Sequence, residues 1–449
     1  MFIADIATIL LLPLDCVPIV VKDNINTRDM LTTAGSLALA DNLPISNAMV
    51  VESFIEQGGT GSAIASGFGI IGLGTDTEGS VIGPATAQGL FGLRQTMSLI
   101  SNEGVFPAAP LLDVVGPMAK RAKDVAYALG AMRGNTALFT PSLHDAHLMY
   151  YVPDIIIGIV SNFMEPIQVK DPNSGALIID YRPQNKLITA INEQFTQKMK
   201  RKLATVKRIT MSRDEQAEYQ RLIFQNAALK AGSSCYKLHA KHALNSYFAR
   251  SNYESLNNWI AIKDLSTSDF TGVNFTEKYQ KIAATTGSIS SECPAVKQYR
   301  TELQELLRKF MSSHGVNLLA FPAASGDPYI LKGTQFCPSV ASAETPAASI
   351  ASYTGWPTMT LPLTLSDNGM PLALQLLAPA KQELRLLRAA HAWDHVATES
   401  LREQIQLPNA TPELEGNEIV FDGCGQASNV ILCRCLLTMS RIARRNKNS

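Results

Sequence analysis

The feature that most constrains this chain is the run from Gly58 to Gly92, where eleven glycines punctuate small and apolar residues. Asp76 and Glu78 are its only charges. Glycine inside regular structure costs backbone entropy, so a run this rich must need close backbone approach or positive φ. Tight packing of a helix on a sheet accounts for some of these glycines. It does not account for the polar insert Thr75-Asp-Thr-Glu-Gly-Ser80, which reads as functional. A serine on a glycine-rich turn, with backbone N–H groups beside it, is what acyl transfer requires: the hydroxyl attacks and the N–H groups hold the oxyanion. The segment is expected to place Ser80 as nucleophile, with the amides of Thr77, Glu78 and Gly79 around the oxyanion.

Such a serine needs a base. Cys16 to Val21 is a short run rich in valine and isoleucine that stops at Lys22-Asp23-Asn24. It reads as a buried strand delivering polar groups at its C-terminal edge, where α/β proteins place their chemistry. An ordinary solvated lysine competes with a catalytic one at position 22. Its reference pKa of about 10.4 must fall through burial or nearby cations before it can accept a proton. The histidines are weaker candidates. His391 and His395 are four apart on a predicted helix, and His239 and His242 are three apart, but neither pair has an acidic residue placed as an orienter or third ligand.

Elsewhere the chain alternates sheet and helix signals. Asn47–Gln57 and Ala295–Met311 have helical spacing. Leu318–Pro322, Pro357–Leu365 and Leu372–Leu377 read as strands, followed by a helix over Gln382–Glu399. The segment 140–315 reads as a variable helical insert between core blocks 16–120 and 316–400. A domain of residues 1–408 is expected, with 409–449 a loosely ordered tail. Basic and acidic residues balance at 39 each, which argues against nucleic acid or an anionic membrane as partner. Apolar runs fall short of the roughly 20 residues a membrane span needs. Met1–Leu14 reads as a buried segment, because it lacks a positive leader and contains Asp5. The sequons at Asn274 and Asn409 keep secretion open beside a cytoplasmic location. Seven cysteines, Cys433 and Cys435 included, suggest neither a disulfide framework nor a zinc site.

The order of the blocks carries a resemblance. Lys22-Asp-Asn-Ile-Asn-Thr-Arg-Asp-Met followed by Thr-Thr-Ala-Gly-Ser36 resembles the catalytic-lysine block of the amidase signature family. Gly61-Ser-Ala-Ile-Ala-Ser-Gly67, Gly74-Thr-Asp-Thr-Glu-Gly-Ser80 and Gly83-Pro-Ala85 resemble the signature itself. Gly89-Leu-Phe-Gly-Leu-Arg94, Gly104-Val-Phe-Pro107 and Asp113-Val-Val-Gly-Pro-Met118 continue it. Thr354-Gly-Trp-Pro357 and Gly369-Met-Pro-Leu-Ala-Leu-Gln375 resemble the family's closing strands. The resemblance covers roughly residues 16 to 400. It implies an α/β fold with a large mixed β-sheet flanked by helices on both faces. It also implies hydrolysis or transfer of a carboxamide through an acyl-enzyme on Ser80, with neutral Lys22 as base, a small-molecule amide as substrate and no metal or organic cofactor.

The chain departs from the family at defined places. The serine with a cis peptide bond, which links lysine to nucleophile, belongs to a Gly-Gly-Ser-Ser-Gly-Gly stretch. Here Gly58-Gly59 is the second glycine pair, Glu56 and Gln57 hold the serine positions, and one strand of the sheet is expected to be missing. Thr60 or Ser62 is the candidate substitute relay. Glu78 replaces a small residue at the oxyanion turn, where its charge opposes an oxyanion and a positive φ would strain it. Ile82 stands where arginine is usual, and Gln95 where proline is. Three readings stay open: an amidase of impaired activity, a catalytically inactive truncated relative that only binds, and an amidotransferase A-type subunit.

Overall fold

A computed structural model of the chain describes residues 19–56, 70–133, 152–165, 167–170, 177–181, 183–224, 233–262, 276–289, 293–324, 348–404 and 430–431. One large mixed sheet organises them. Its strands are β1 (Ile19–Val21), β2 (Ile71–Asp76), β3 (Phe91–Arg94), β4 (Val114–Ala119) and β5 (Ile156–Val160). After β6 (Ile167–Lys170) and β7 (Leu177–Tyr181), which form a separate hairpin, come β8 (Thr205–Ile209), β9 (Leu318–Pro322), β10 (Thr358–Leu365), β11 (Pro371–Leu377) and β12 (Val430–Ile431). The order across the sheet is β12-β1-β2-β4-β3-β10-β11-β9-β5-β8. Pairing is parallel for β1 with β2 and for β5 with β8 and β9, and antiparallel elsewhere.

Continuous apolar runs form the centre because both faces are covered. Along β9, Leu318 and Ala320 enter one core cluster, while Leu319 and Phe321 enter a second on the other face. The first cluster lies under the helices Ala122–Met132 and Glu383–Gln404, the latter inserting Leu386, Ala390 and Trp393. The second is closed by the helix Pro294–Ser313, whose Val296, Tyr299, Leu303, Leu307 and Phe310 recur at helical intervals on one buried face. A third cluster joins the helices Ser234–Phe248, Leu256–Ile262 and Thr276–Ala283 around Trp259. Helices on both faces of a mixed sheet are what the sequence led us to expect, and β9, β10 and β11 fall within a residue of the sequence reading.

Three differences stand out. The segment 140–315 is not only helical. Its strands β5 and β8 extend the main sheet beyond β9, because Ile157 and Ile159 face the first core cluster while Val160 faces the second. Val430–Ile431, within the tail expected to be loosely ordered, pairs antiparallel with β1. Finally, the cysteines do form a bond: Cys235 and Cys293 are disulfide-linked with their Cα atoms 5.1 Å apart. Their separation of 58 residues left no spacing signal to read. As for the strand expected to be missing, β1 pairs directly with β2, Val20 opposite Gly72, so the ladder is continuous there.

Candidate active site

The site is built where β1 and β2 end side by side. The ladder continues one residue past β1, with the Lys22 N–H donating to the Leu73 carbonyl at 3.0 Å. That contact fixes the direction of the Lys22 side chain. Its Nζ donates to Thr75 Oγ1 at 2.9 Å, and Asn24 Nδ2 donates to the same oxygen at 3.1 Å. Lys22 is partly buried. Burial pulls its ammonium pKa below the ordinary 10.5, against the opposing pull of the Asp76 and Asp113 carboxylates. The next residue, Asp23, pins the returning loop by accepting from the Thr33 N–H and hydroxyl.

The turn after β2 is organised around Asp76, which is fully buried. Its carboxylate accepts from the N–H groups of Gly79 (3.0 Å), Val81 (2.8 Å) and Ile82 (3.3 Å), binding turn and following helix Ile82–Ala87 together. Arg94, itself 1% exposed, meets Asp76 Oδ1 at 2.7 Å. The same guanidinium donates to the Asp76 carbonyl and, at 2.6 Å, to that of Leu112. A buried pair this well hydrogen-bonded is costly to break, because each partner would leave an uncompensated charge. Two glycines make the turn possible. Gly79 has φ +123°, which side-chain-bearing residues rarely adopt. At Gly92 a Cβ would lie 2.6 Å from the Ala85 Cβ, so only glycine lets the helix sit on β3.

Asp113 holds the other side. Its carboxylate accepts from the Thr77 hydroxyl at 2.6 Å and from the amides of Ala108 and Ala109. Burial nevertheless pushes its pKa above 3.8. Asp113 also borders a cavity of ≈ 530 Å³ with Glu103, Pro107, His242 and Arg250.

Ser80 lies exposed on this turn, and Thr77, Glu78 and Gly79 precede it. Among the described residues, no acceptor pairs with the N–H of Thr77, Glu78 or Ser80, whereas the Gly79 N–H is taken by Asp76. The Glu78 backbone does not have the positive φ that would strain it; that conformation belongs to Gly79. The Glu78 carboxylate accepts from the Tyr353 hydroxyl at 2.6 Å. Thr60 and Ser62 lie outside the described residues. Ile82 is buried and meets the Asp76 carboxylate only through its N–H, and Gln95 is buried with no partner for its side-chain amide among the described residues.

Three parts of this arrangement carry no assignment from sequence. Thr75 was read as part of the insert but not as the acceptor for Lys22. The Asp76–Arg94 pair joins residues 18 apart, and Asp113 reaches Thr77 across 36. The available signal was their type: a charged residue inside an apolar strand block usually has a buried partner. Of the histidine pairs, His242 lines the cavity that Asp113 borders. His395 contacts Lys202 at 3.0 Å. His239 lies beside the disulfide, where one ligand atom each from Cys235, His239 and Cys293 falls within 4.8 Å of the others. No helix among the described residues is long and apolar enough to cross a membrane.

Comparison with known proteins places this arrangement. The chain is 25% identical over 435 residues to the A subunit of the glutamyl-tRNA(Gln) amidotransferase of Ligilactobacillus salivarius, covering 85% of this chain and 83% of that protein. A higher identity of 32% to the Enterococcus faecalis protein of the same name extends over 163 residues, 27% of this chain and 33% of that one. Several of the curated relatives are thus matched over only about a third of their length. Among solved structures, the native peptide amidase of Stenotrophomonas maltophilia superposes with TM-score 0.63 at 23% identity, covering 86% of this chain and 83% of that one. The A subunit of the Thermotoga maritima glutamyl-tRNA(Gln) amidotransferase gives 0.55 at 17%, over 85% and 83%. These likenesses carry the fold. The amidase family model matches residues 5–58 and 57–387, the two segments meeting at the junction Gln57-Gly58. Matched over most of its length and built on the same mixed sheet, the chain belongs to the amidase family.

Proposed function

We propose that this protein hydrolyses the C–N bond of a small carboxamide through an acyl-enzyme on Ser80, with Lys22 as the base. The observation that carries the reading is the lysine: a partly buried ammonium of lowered pKa, held at 2.9 Å by Thr75 on the strand that leads into the Ser80 turn. A base is most useful with a pKa near the working pH, and desolvation moves Lys22 in that direction. Thr75, receiving hydrogen bonds from Lys22 and Asn24, positions the amine. The amides of Thr77 and Glu78, which have no acceptor among the described residues, are available to the carbonyl oxygen as it becomes an oxyanion. Gly79, expected in the same role, spends its N–H on Asp76 and instead supplies the φ that turns the chain.

Between Lys22 and Ser80 the family uses a serine hydroxyl. In this chain Thr60 or Ser62 takes that part, on the segment directly after the junction where the two family-model matches meet. The meeting of those matches at Gln57-Gly58 supports a lost block there, and activity lower than that of a complete enzyme follows from the loss. Losing one member of a catalytic triad leaves the acceleration due to binding and the oxyanion site. An amidotransferase A-type subunit is the second reading, supported by the names of the curated relatives.

Labelling of the purified chain with a fluorophosphonate probe tests the first reading. Labelling that disappears in Ser80→Ala and survives in a surface serine variant is the expected result. A cooperatively melting chain that takes no label would make it a binding protein without the chemistry. If the wild type labels but hydrolyses small amides only in the presence of partner subunits, the second reading holds. Loss of label in Thr60→Ala combined with Ser62→Ala would identify the relay; unchanged labelling would eliminate both.

A further inference from the structure

Away from Ser80, two helices bring together a group of soft ligands. Cys235 lies in the first turn of the helix Ser234–Phe248 and is 3% exposed. Ser233 caps that helix, its side chain accepting from the Tyr236 N–H. His239 is one turn further on, and residues four apart on a helix share a face. Cys293 is the N-cap residue of the helix Pro294–Ser313. A disulfide joins the cysteines, and the histidine has a ring nitrogen within 4.8 Å of both sulfurs. Beside them lies a cavity of ≈ 390 Å³ lined by His239 and Cys293 together with Lys297, Arg300 and Gln304.

A disulfide that only staples two helices needs neither an imidazole nitrogen within 4.8 Å of both sulfurs nor open space beside them. Two thiolates and one imidazole are instead the donors of a tetrahedral divalent-cation site with its fourth position open. The surroundings suit thiolates. Both cysteines lie at helix N-termini, where backbone N–H groups favour negative charge, and Lys297 and Arg300 add positive charge on the cavity side. Arg300 is held back from the sulfurs by hydrogen bonds to the Tyr353 and Leu111 carbonyls. We propose that Cys235, His239 and Cys293, once the disulfide is reduced, form a three-ligand site for a thiophilic divalent cation of the zinc class, with water from the cavity as fourth ligand.

Metal and disulfide are then mutually exclusive states of one cluster. A dithiol supplies two electrons and two protons: the Cys235–Cys293 bond breaks, two S–H bonds form, and the dithiol closes to its own disulfide. On metal binding the two thiol protons leave to solvent, two S–metal bonds and one N–metal bond form, and the metal keeps its oxidation state. The inference is independent of hydrolysis at Ser80, and its readout is metal rather than turnover.

The test uses the full chain, reduced with dithiothreitol, desalted without oxygen and titrated with Co(II). The expected result is one equivalent of cobalt giving thiolate charge-transfer absorption and the visible bands of a tetrahedral site, bleached by Zn(II) and absent from the oxidised chain. His239→Ala, at a partly exposed position, should keep the fold and weaken cobalt binding by about tenfold or more, with altered visible bands. The double variant Cys235→Ser, Cys293→Ser should lose the bands. No bands in the reduced chain, equal bands in the oxidised chain, or bands unchanged in the double variant would overturn the proposal, the last by assigning the metal to other cysteines. Should the double variant fail to fold, His239→Ala decides: unchanged affinity and spectrum overturn the site.

Discussion

The turn around Ser80 and the helical wall around Trp259 are held together by different physics. The turn is polar to its centre. One carboxylate, Asp76, binds three backbone N–H groups and a buried arginine, and a second, Asp113, binds a hydroxyl and two amides. The wall is aromatic. Phe248 stacks on Trp259 at 5.0 Å, Tyr279 meets the same indole edge-on at 5.0 Å, and Phe106 reaches across to Tyr247 at 5.2 Å. Directional hydrogen bonds fix atoms where charge must be handled. Apolar packing fills volume and tolerates change, provided volume is conserved. The two regions touch through the loop after Lys22: Trp259 Nε1 donates to the Ala38 carbonyl, Tyr253 to Asp41, and Tyr247 to Asn26. The wall therefore braces the segment that carries the lysine.

The contrast can be broken by variants on either side. Asp76→Ala has the largest expected effect. It leaves Arg94 buried without its partner and three N–H groups without an acceptor, so a loss of about 3–5 kcal/mol in urea unfolding is expected, together with loss of fluorophosphonate labelling. A loss under about 1 kcal/mol would mean that the turn is not organised by this carboxylate. Lys22→Ala follows. Removal of a general base should slow labelling by about 10²–10⁴-fold with little change in melting. In the wild type the labelling rate should rise with pH and level off at a midpoint below 10.5, since only the neutral amine accepts a proton and burial lowers its pKa. The stability sign agrees. Between the lowered folded pKa and 10.5 the unfolded chain holds the extra proton, so the desolvation cost of Lys22 is relieved as pH rises through that window.

Trp259→Ala sharpens the comparison from the other side. Emptying an aromatic site costs about 3–5 kcal/mol when the surroundings cannot collapse, and about 3 is expected here because the cluster around Trp259 contains helix and loop residues and no strand of the main sheet. Labelling at Ser80 should fall only a few-fold; a fall as deep as that of Asp76→Ala would mean that wall and turn are one cooperative unit. Smallest is Glu78→Gln. Removing a negative charge beside the proposed oxyanion position, while keeping an acceptor for Tyr353, should raise the labelling rate by about tenfold, or about 1.4 kcal/mol. An unchanged rate would place the carboxylate too far from the oxyanion to matter.

Much of this molecule was legible before its structure. The strand ending at Lys22, the helix near Asn47–Gln57 and the strands β9 to β11 follow from local periodicity, because each buries a face its own residues define. The glycine-rich block announced a turn, since the φ of Gly79 and the closeness of Gly92 to Ala85 are demands on those residues alone. The candidate site divides by how local its signals are. Lys22 and Ser80 stood out by type and place, whereas Thr75, Asp113 and the role of Arg94 did not. In the segment 140–315 the strands β5 and β8 went unread, because each is too short for periodicity to separate it from helix.

What the sequence determined by itself is therefore the set of elements whose information is local: apolar runs, helical faces, the turn glycines and the charged residues that demand partners. Tertiary structure alone decided who those partners are. Asp76 and Arg94 are neighbours because β2 and β3 both pair with β4, and Cys235 meets Cys293, 58 residues on, because the N-termini of their two helices come together. A buried charge or a thiol states in sequence only that it needs a neighbour. The choice among distant residues is made by the sheet order and helix packing that bury the most apolar surface, and no single segment contains that information.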